Sequence, residues 1–368
     1  MKNILKGIGT AFLILVVLII VGIVFIIFKF ATAEPEIMAP EDYETSVQTG
    51  GEIEAKYLAH GKYEVSNFEE GTSEKWSKYE IYYPTALESG TEKYLVIIVA
   101  NGSGVRASRY PAVFNHYASW GFIVIGNEHD TSYAGDSSDA SLAFLIQAND
   151  DPSSVLYQKV DLDNVVLIGH SQGGVGTFAA ITAQEHSDMY KAAVSLSPVP
   201  EESAKAIHWN YDPTMIKIPV LILAGEENDV ISAEQLDDLY SHISSDKVSA
   251  IRKGMNHPQM LYSADGYVTA WFMWHLQGDE EASKAFVDPD AELYQNELYQ
   301  NQNSSLKYKG TDTIEKNKNR WTRQNWITLI AVIITAIILG AICGKQLLEA
   351  SYKKHRNLRG SIHCRICS

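Results

Sequence analysis

The sequence predicts an α/β fold, in which helices cover both faces of a mostly parallel sheet. Continuous apolar runs rich in β-branched residues alternate with helical stretches through the middle of the chain. Strands of a parallel sheet are buried on both faces and connected by helices, so they produce this alternation. Two longer apolar segments near the ends of the 368-residue chain stand outside the pattern and predict flanking transmembrane helices.

The predicted elements follow one another with short polar connections. The predicted strands are Tyr79–Tyr83, Tyr94–Ala100, Phe122–Gly126, Val165–Ile168, Ala192–Leu196, Val220–Ala224 and Val248–Ile251. The predicted helices are Tyr110–Trp120, Asp139–Ala148, Gly174–His186, Ala233–Ser241 and Tyr267–Leu276. In open sheets of this kind, functional groups lie beyond the carboxyl ends of the strands.

The first terminal segment, Ile4–Phe28, is apolar, and it carries no charge from Ala11 onward. About 20 such residues span a bilayer, and Lys2 and Lys6 predict that the N-terminus stays in the cytoplasm. A cleaved signal peptide is the alternative, because residues 31–33 resemble a small-residue cleavage site. The length of the apolar run favours an uncleaved anchor, since signal peptides have shorter apolar regions.

The second terminal segment, Trp326–Gly344, contains no charged residue, and Trp321 and Trp326 suit an outer membrane interface. A buried core helix is the alternative. If the first span leaves the cytoplasm, the second must return to it.

The predicted organisation is an anchor over 1–30, a stalk over 31–51, the α/β domain over 52–300, a juxtamembrane linker over 301–325, a transmembrane helix over 326–344 and a basic cytoplasmic tail over 345–368. The domain is then held at the cell membrane on its extracytoplasmic side.

Charge is divided unevenly along the chain. Residues 30–306 contain 42 of the 45 acidic residues but only 15 of the 30 basic ones. Such an acidic domain is a poor partner for nucleic acid, whose binding requires neutralisation of phosphates. The three cysteines, Cys343, Cys364 and Cys367, all lie near the C-terminus, so the domain is not a disulfide scaffold.

The sequence Gly169-His-Ser-Gln-Gly173 follows a short apolar strand and precedes a helix-like stretch. A strand, a sharp turn of the form G-x-S-x-G and a helix together predict a nucleophile elbow, with Ser171 raised above the sheet. The helix N-terminus then points at the reaction centre. The alternative is a glycine-rich turn with an ordinary serine.

A serine nucleophile requires a base, and the base requires an orienting acid. Within the domain, three histidines follow both Ser171 and the carboxylates at 226–229 that could orient the base: His242, His257 and His275. His257 is favoured because it lies in a loop just after a strand, whereas the other two lie in helical stretches. The loop after strand Val220–Ala224 supplies the acid, and its carboxylates are Glu226, Glu227 and Asp229, of which Asp229 is favoured.

Two backbone amides are needed to stabilise a tetrahedral oxyanion. The first is that of Gln172, directly after the nucleophile, and the second is expected in the loop Asn101-Gly-Ser-Gly104, at Ser103. A plain glycine turn is the alternative for this loop. Asn101-Gly-Ser103 also matches a glycosylation sequon, although a position above an active site disfavours it.

Two other groups of residues suggest metal binding only weakly. Carboxylates at Glu128, Asp130, Asp136 and Asp139 have no spacing of a known calcium loop. Cys364-Arg-Ile-Cys367 with His363 does not supply four zinc ligands from this chain. No metal and no cofactor is therefore predicted.

These residues together resemble the α/β-hydrolase superfamily, and most closely its bacterial polyester hydrolase and cutinase branch, related to dienelactone hydrolases. The matching stretches lie within residues 77–290 and are Tyr94–Gly104, Ala118–Ile125, Gly169–Gly174, Ala193–Pro200, Pro219–Ile231 and Asn256–His257. The resemblance implies an ester hydrolase with Ser171, Asp229 and His257 as its triad, and with the amides of Ser103 and Gln172 holding the oxyanion.

The chain departs from these families at several points. Ser171 stands where dienelactone hydrolases have cysteine, and Ser103 stands where polyester hydrolases usually have an aromatic residue. The chain also lacks the C-terminal disulfide that is common in those enzymes. Its two predicted terminal spans are not part of the usual layout of the family. The sequence therefore predicts a membrane-anchored, cofactor-free serine carboxylester hydrolase acting on a small-molecule or lipid-like ester. The alternatives are a catalytically silent binding ectodomain and another acyl-transfer enzyme, such as a transferase or peptidase.

Overall fold

A computed structural model describes residues 37–287 and 290–306, which form a nine-stranded sheet covered by helices. The strands are β1 (Val65–Gly71), β2 (Lys78–Pro84), β3 (Tyr94–Ala100), β4 (Phe122–Asn127), β5 (Val160–His170), β6 (Tyr190–Leu196), β7 (Val220–Glu227), β8 (Lys247–Asn256) and β9 (Tyr299–Ser304). Their order across the sheet is β1-β2-β4-β3-β5-β6-β7-β8-β9. The six strands from β4 to β8 are parallel, while β1–β2, β2–β4 and β8–β9 pair antiparallel.

Ten α-helices of the described residues surround the sheet. They are α1 (Tyr43–Ser46), α2 (Glu52–Leu58), α3 (Pro111–Ser119), α4 (Asp136–Asp150), α5 (Gln172–Ala183), α6 (Glu201–Ala206), α7 (Ala233–His242), α8 (Asp265–Gln277), α9 (Glu280–Ser283) and α10 (Glu292–Gln295). Alternate strand residues point to opposite faces. Ile97 of β3 thus packs in the cluster formed with α3 and α8, and its neighbours Val96 and Ile98 pack in the cluster formed with α4 and α5.

The predicted α/β architecture is confirmed, and each predicted strand and helix overlaps an observed one. The two edge strands, β1 and β9, were not predicted because their sequences, Val-Ser-Asn-Phe-Glu-Glu-Gly and Tyr-Gln-Asn-Gln-Asn-Ser, are largely polar. An edge strand needs no continuous apolar run, since one side of it faces solvent. Most of the short helices have too few residues to show a periodic pattern.

The compact part of the chain extends beyond the predicted domain limits of 52–300. Helix α1 lies in the predicted stalk, yet the Tyr43 side chain is fully buried and its hydroxyl donates to Asp265 Oδ2 at 2.7 Å. Strand β9 continues to Ser304, inside the predicted linker, because it completes the sheet against β8. Both segments are polar in sequence, so the sequence did not indicate these long-range contacts.

The two predicted membrane segments, Ile4–Phe28 and Trp326–Gly344, lie outside the described residues, as do all three cysteines. Within residues 37–287 and 290–306, no helix has the length and apolar character needed to cross a bilayer.

A buried ion pair connects α2, which precedes β1, to β8 and β9 at the opposite edge of the sheet. Arg252 of β8 donates from Nη1 to Glu54 Oε1 of α2 and to the Tyr299 hydroxyl of β9, both at 2.6 Å. Both charged side chains are 1 % exposed. Glu54 Oε2 accepts hydrogen bonds from the Asn296 side chain and the Gly50 amide, so its second oxygen is also satisfied. Arg252 Nη2 also donates to the Gln48 carbonyl oxygen, whereas Arg252 Nε is buried and has no hydrogen-bond partner among the described residues. Both carboxylate oxygens of Glu54 thus have the donors that a buried charge requires.

Replacing Arg252 by Met should lower the free energy of unfolding by about 3–5 kcal/mol, because Glu54 then stays buried without its cation. Urea unfolding of the full chain, followed by tryptophan fluorescence, measures the loss. Lys56→Met is the matched control, since Lys56 and Glu281 are 42% and 54% exposed and exposed pairs contribute about 1 kcal/mol or less. Equal losses in the two variants would contradict a special role for the buried pair.

Candidate active site

Ser171 lies in a strained turn between β5 and α5, with φ 60° and ψ −119°. The glycines around it are required by packing. A Cβ atom at Gly169 would lie 2.1 Å from the Gly173 carbonyl oxygen, and one at Gly173 would lie 2.1 Å from the Ala100 carbonyl oxygen. The G-x-S-x-G sequence thus lets α5 begin directly against the ends of β3 and β5, with the serine at the carboxyl edge of the sheet.

His257 follows the last residue of β8 and contacts Ser171. Its Nε2 atom is 2.9 Å from Ser171 Oγ, and its Nδ1 atom is 3.0 Å from Asp229 Oδ1. A carboxylate can only accept, so Nδ1 carries the proton and Nε2 is the atom that accepts from the serine hydroxyl. The structure therefore joins Ser171, His257 and Asp229 in one hydrogen-bonded chain.

Asp229 lies beyond β7, and its side chain is 2 % exposed. Burial alone would raise the pKa of this carboxyl group. Hydrogen bonds from His257, from Ser197 Oγ at 2.6 Å and from the Gly225 amide at 2.5 Å instead hold the pKa below its usual range. The group is consequently an anion aimed at the imidazole, as stabilisation of an imidazolium requires.

His170, the residue before Ser171, supports the loop that carries His257. Its ring centroid is 4.6 Å from that of His257, and Nε2 donates to the His257 carbonyl oxygen at 2.8 Å. Burial and the neighbouring His257 lower the pKa of His170 to about 4, so the ring is neutral near pH 7. A neutral donor at this position fixes the backbone of His257 without placing a second positive charge beside its imidazole.

One predicted oxyanion donor, Ser103, lies in the loop after β3, the other, Gln172, is the first residue of α5, and a polar network connects the two segments. Within the described part of the chain, neither the Ser103 amide nor the Gln172 amide donates a hydrogen bond to a protein acceptor. The Gln172 side chain accepts from the Ser132 amide at 2.8 Å, and the Ser132 hydroxyl donates to the Asn101 carbonyl oxygen at 2.8 Å. The network thereby links the loop after β3 to the first residue of α5.

Asn101 is a structural residue of this loop and is 1 % exposed. Its side-chain amide donates to the carbonyl oxygens of Asn127 and His129 at 2.6 and 2.7 Å, and its side-chain oxygen accepts from the Tyr110 hydroxyl. The buried amide nitrogen is not available for glycosylation. Asn101 anchors the loop that presents Ser103.

Sequence reasoning missed three residues that shape the site: Ser197, His170 and Asn101. Ser197 directly follows β6, and its position beyond the carboxyl end of a strand could have indicated a role in the site. It also has φ 44°, a backbone conformation that the sequence does not reveal. The supporting roles of His170 and Asn101 depend on distant carbonyl partners and had no local signal.

The competing candidates have other partners. His242 pairs with Glu201 across 3.4 Å at the surface, and the His275 ring packs against Trp271 and Trp274. Glu226 accepts hydrogen bonds from the Gly254 amide and the Gln300 side chain, so it joins β7 to the neighbouring strands.

Three of the carboxylates considered as calcium ligands interact with different protein partners. Glu128 accepts from the Ser108 amide and hydroxyl, Asp136 pairs with Lys75, and Asp139 pairs with His186. Across residues 37–287 and 290–306, no cluster of three or more His, Cys, Asp or Glu side chains is arranged to hold a metal ion.

The strand order, the strained serine turn after β5, the aspartate after β7 and the histidine after β8 define an α/β-hydrolase. A family model described as PET hydrolase-like matches residues 43–305, and the chain belongs to that family. The predicted resemblance to polyester hydrolases and cutinases is thus confirmed.

Individual relatives are moderately similar. Cutinase est2 of Thermobifida alba is 30% identical over 226 residues, covering 58% of this chain and 66% of that protein. A bis(hydroxyethyl) terephthalate hydrolase of Streptomyces coelicolor is 28% identical over 171 residues, covering 45% of this chain and 49% of that protein. Cutinase cut1 of Thermobifida fusca is 30% identical over 158 residues, covering 41% and 43%. The chain thus spans about two thirds or less of the length of these three relatives.

Replacing Asp229 by Asn should reduce the rate at which a fluorophosphonate labels Ser171 by roughly 10²–10⁴-fold, because the neutral amide no longer stabilises the imidazolium and favours the wrong tautomer. Labelling rates of the purified full chain measure this. Glu226→Gln and Glu227→Gln are the controls and should change the rate less than about threefold, as exposed charges contribute little. A slow Glu226→Gln variant beside a fast Asp229→Asn variant would transfer the acid's role to Glu226.

Proposed function

We propose that this protein is a serine carboxylester hydrolase that acts through an acyl-enzyme on Ser171. The observation that carries the proposal is the hydrogen-bonded chain from Ser171 Oγ through His257 to Asp229, with separations of 2.9 and 3.0 Å. Relatives named as cutinases and as a bis(hydroxyethyl) terephthalate hydrolase support an ester as the substrate.

In the first half-reaction, Ser171 Oγ attacks the carbonyl carbon of the ester while its proton moves to His257 Nε2. Asp229 stabilises the resulting imidazolium, and the amides of Ser103 and Gln172 bind the oxyanion. The bond between the acyl carbon and the alcohol oxygen then breaks. The alcohol oxygen takes the proton from Nε2 and leaves as a neutral alcohol.

In the second half-reaction, water attacks the acyl-enzyme and gives its proton to His257 Nε2. The bond between the acyl carbon and Ser171 Oγ breaks, Oγ regains the proton, and a carboxylic acid is released. The protein's own groups supply each proton transfer, and the cycle requires neither metal nor cofactor.

The wild-type full chain should hydrolyse p-nitrophenyl esters and should be labelled by a fluorophosphonate. The Ser171→Ala variant should lose both the hydrolytic activity and the labelling. The expected loss of hydrolysis is at least about 10³-fold, because the nucleophile is removed. His242→Ala is the control and should retain activity, since that side chain is a surface ion-pair partner. Labelling without hydrolysis would favour a transferase, and a wild-type protein that is neither labelled nor active would favour a silent binding domain.

We further propose that the chain is anchored in the cell membrane, with the α/β domain on the extracytoplasmic side. The apolar runs Ile4–Phe28 and Trp326–Gly344 are each long enough to span a bilayer at about 20 residues. Lys2 and Lys6 precede the first run, which favours a cytoplasmic N-terminus. Two spans then return the C-terminus to the cytoplasm.

Protease added to intact cells that express the full chain should cut between residues 305 and 325 and leave tags at both termini intact. Cells opened with detergent provide the control, in which both tags should be digested. Digestion of the C-terminal tag from outside intact cells would show that the second segment does not span the membrane in the proposed direction.

A further inference from the structure

A cavity of about 180 Å³ opens beside Ser171 and extends into the domain. Its mouth is formed by Gly102, Ser103, Ser171 and His257. Most of the other lining residues are almost fully buried, among them Tyr110, Tyr117 and Leu196.

One wall belongs to α3 and the residue before it. Tyr110, Val113 and Tyr117 are spaced by three and four positions, and such residues share one helix face. The Tyr117 hydroxyl donates to Asp265 at 2.7 Å and the Tyr110 hydroxyl donates to Asn101, so both hydroxyls are already occupied. The two tyrosines therefore contribute ring carbons to the cavity and leave no polar group unpaired there.

The opposite wall comes from the carboxyl ends of three adjacent strands. Val99 of β3, Ile168 of β5 and Leu196 of β6 line it, and Leu261, four residues after His257, adds a further apolar side chain. None of the lining residues is an aspartate, glutamate, lysine or arginine. A charged or strongly polar acyl group would lose its hydration in this cavity without gaining a partner.

The segment before β1 also contributes to the lining of the cavity. Met38 lines it, and its backbone amide donates to the Arg109 carbonyl oxygen at 2.8 Å. The Met38 sulfur lies 3.6 Å from Arg109 Nη2. Methionine is an adaptable apolar side chain, suited to contact a flexible hydrocarbon.

The volume limits the size of the ligand. Drug-sized ligand pockets usually measure about 300–1,000 Å³. An engineered cavity of about 150 Å³ holds benzene, a molecule of six carbons. A cavity of about 180 Å³ is therefore matched by a hydrocarbon of roughly four to six carbons. A terephthalate acyl group, with its aromatic ring and second carboxyl group, is larger than this.

We propose that this cavity is the acyl pocket, and that it selects esters of unbranched aliphatic acids of about four to six carbons over terephthalate esters. This inference rests on the proposed ester hydrolysis at Ser171. The acyl chain enters between α3 and the strand ends, with its carbonyl carbon at Ser171 Oγ. The alcohol part of the ester remains on the solvent side of Ser103 and His257.

The test measures kcat/KM of the full chain for p-nitrophenyl acetate, butyrate, hexanoate, octanoate and decanoate. A buried methylene contributes a factor of about three to four to binding. We expect the hexanoate value to exceed the acetate value at least tenfold and the decanoate value to fall again. Bis(hydroxyethyl) terephthalate should be turned over at least tenfold less efficiently than 2-hydroxyethyl butyrate, which has the same leaving alcohol. Fluorophosphonate titration gives the concentration of active sites.

Leu261→Ala and Met38→Ala should move the optimum to octanoate or longer chains, because each removes wall volume. Met215→Ala is the matched control for Met38→Ala: Met215 is 50% exposed, does not line the cavity and should leave the chain-length profile unchanged. Comparing chain lengths within each variant cancels losses of folded protein.

Different results would overturn the two proposals separately. A wild-type enzyme that is active but has a flat chain-length profile would overturn the acyl pocket alone. So would an optimum that stays in place in both wall variants, or turnover of bis(hydroxyethyl) terephthalate equal to that of 2-hydroxyethyl butyrate. Absence of turnover for every ester, with no fluorophosphonate labelling, would overturn the proposed function and the pocket with it.

Discussion

The site depends on one close backbone contact, that of Gly173 with the end of β3. A side chain at Gly173 would overlap the Ala100 carbonyl oxygen, so only glycine lets α5 start this close to β3. This proximity sets the distance between the Ser171 turn and the loop that carries Ser103. The positions of the candidate nucleophile and of the candidate oxyanion donors thus both depend on the absence of a side chain at Gly173.

The sequence predicted what depends on local pattern and missed what depends on distant partners. Buried parallel strands such as Tyr94–Ala100 are continuous apolar runs, so their positions could be inferred directly. Ser171, Asp229 and His257 were inferred because each follows a strand end. The edge strand Tyr299–Ser304 is polar and is held by pairing with β8 across about 50 residues of chain, which no local pattern encodes. The hydrogen bond from Ser197 to Asp229 likewise exists only after folding.

The segment before β1 illustrates the same limit. Its prolines and acidic residues suggested a solvated stalk, yet Tyr43 is buried against Asp265 and Met38 lines the cavity. Tyr117 also donates to Asp265, so one buried carboxyl group receives hydrogen bonds from this segment and from the pocket wall. The segment before β1 therefore contributes to the proposed acyl pocket.

No Asp, Glu, Lys or Arg side chain lines the cavity, and this favours both halves of the proposed reaction. The domain is strongly acidic overall, but the carboxylate nearest the nucleophile, Asp229, is enclosed and satisfied by Ser197, Gly225 and His257. Its charge acts on the imidazole rather than on the cavity. The cavity walls hold no formal charge, so a neutral acyl chain meets no desolvated ion as it enters. The released carboxylate is disfavoured in the same apolar surroundings, which assists departure of the acid once Ser171 is free.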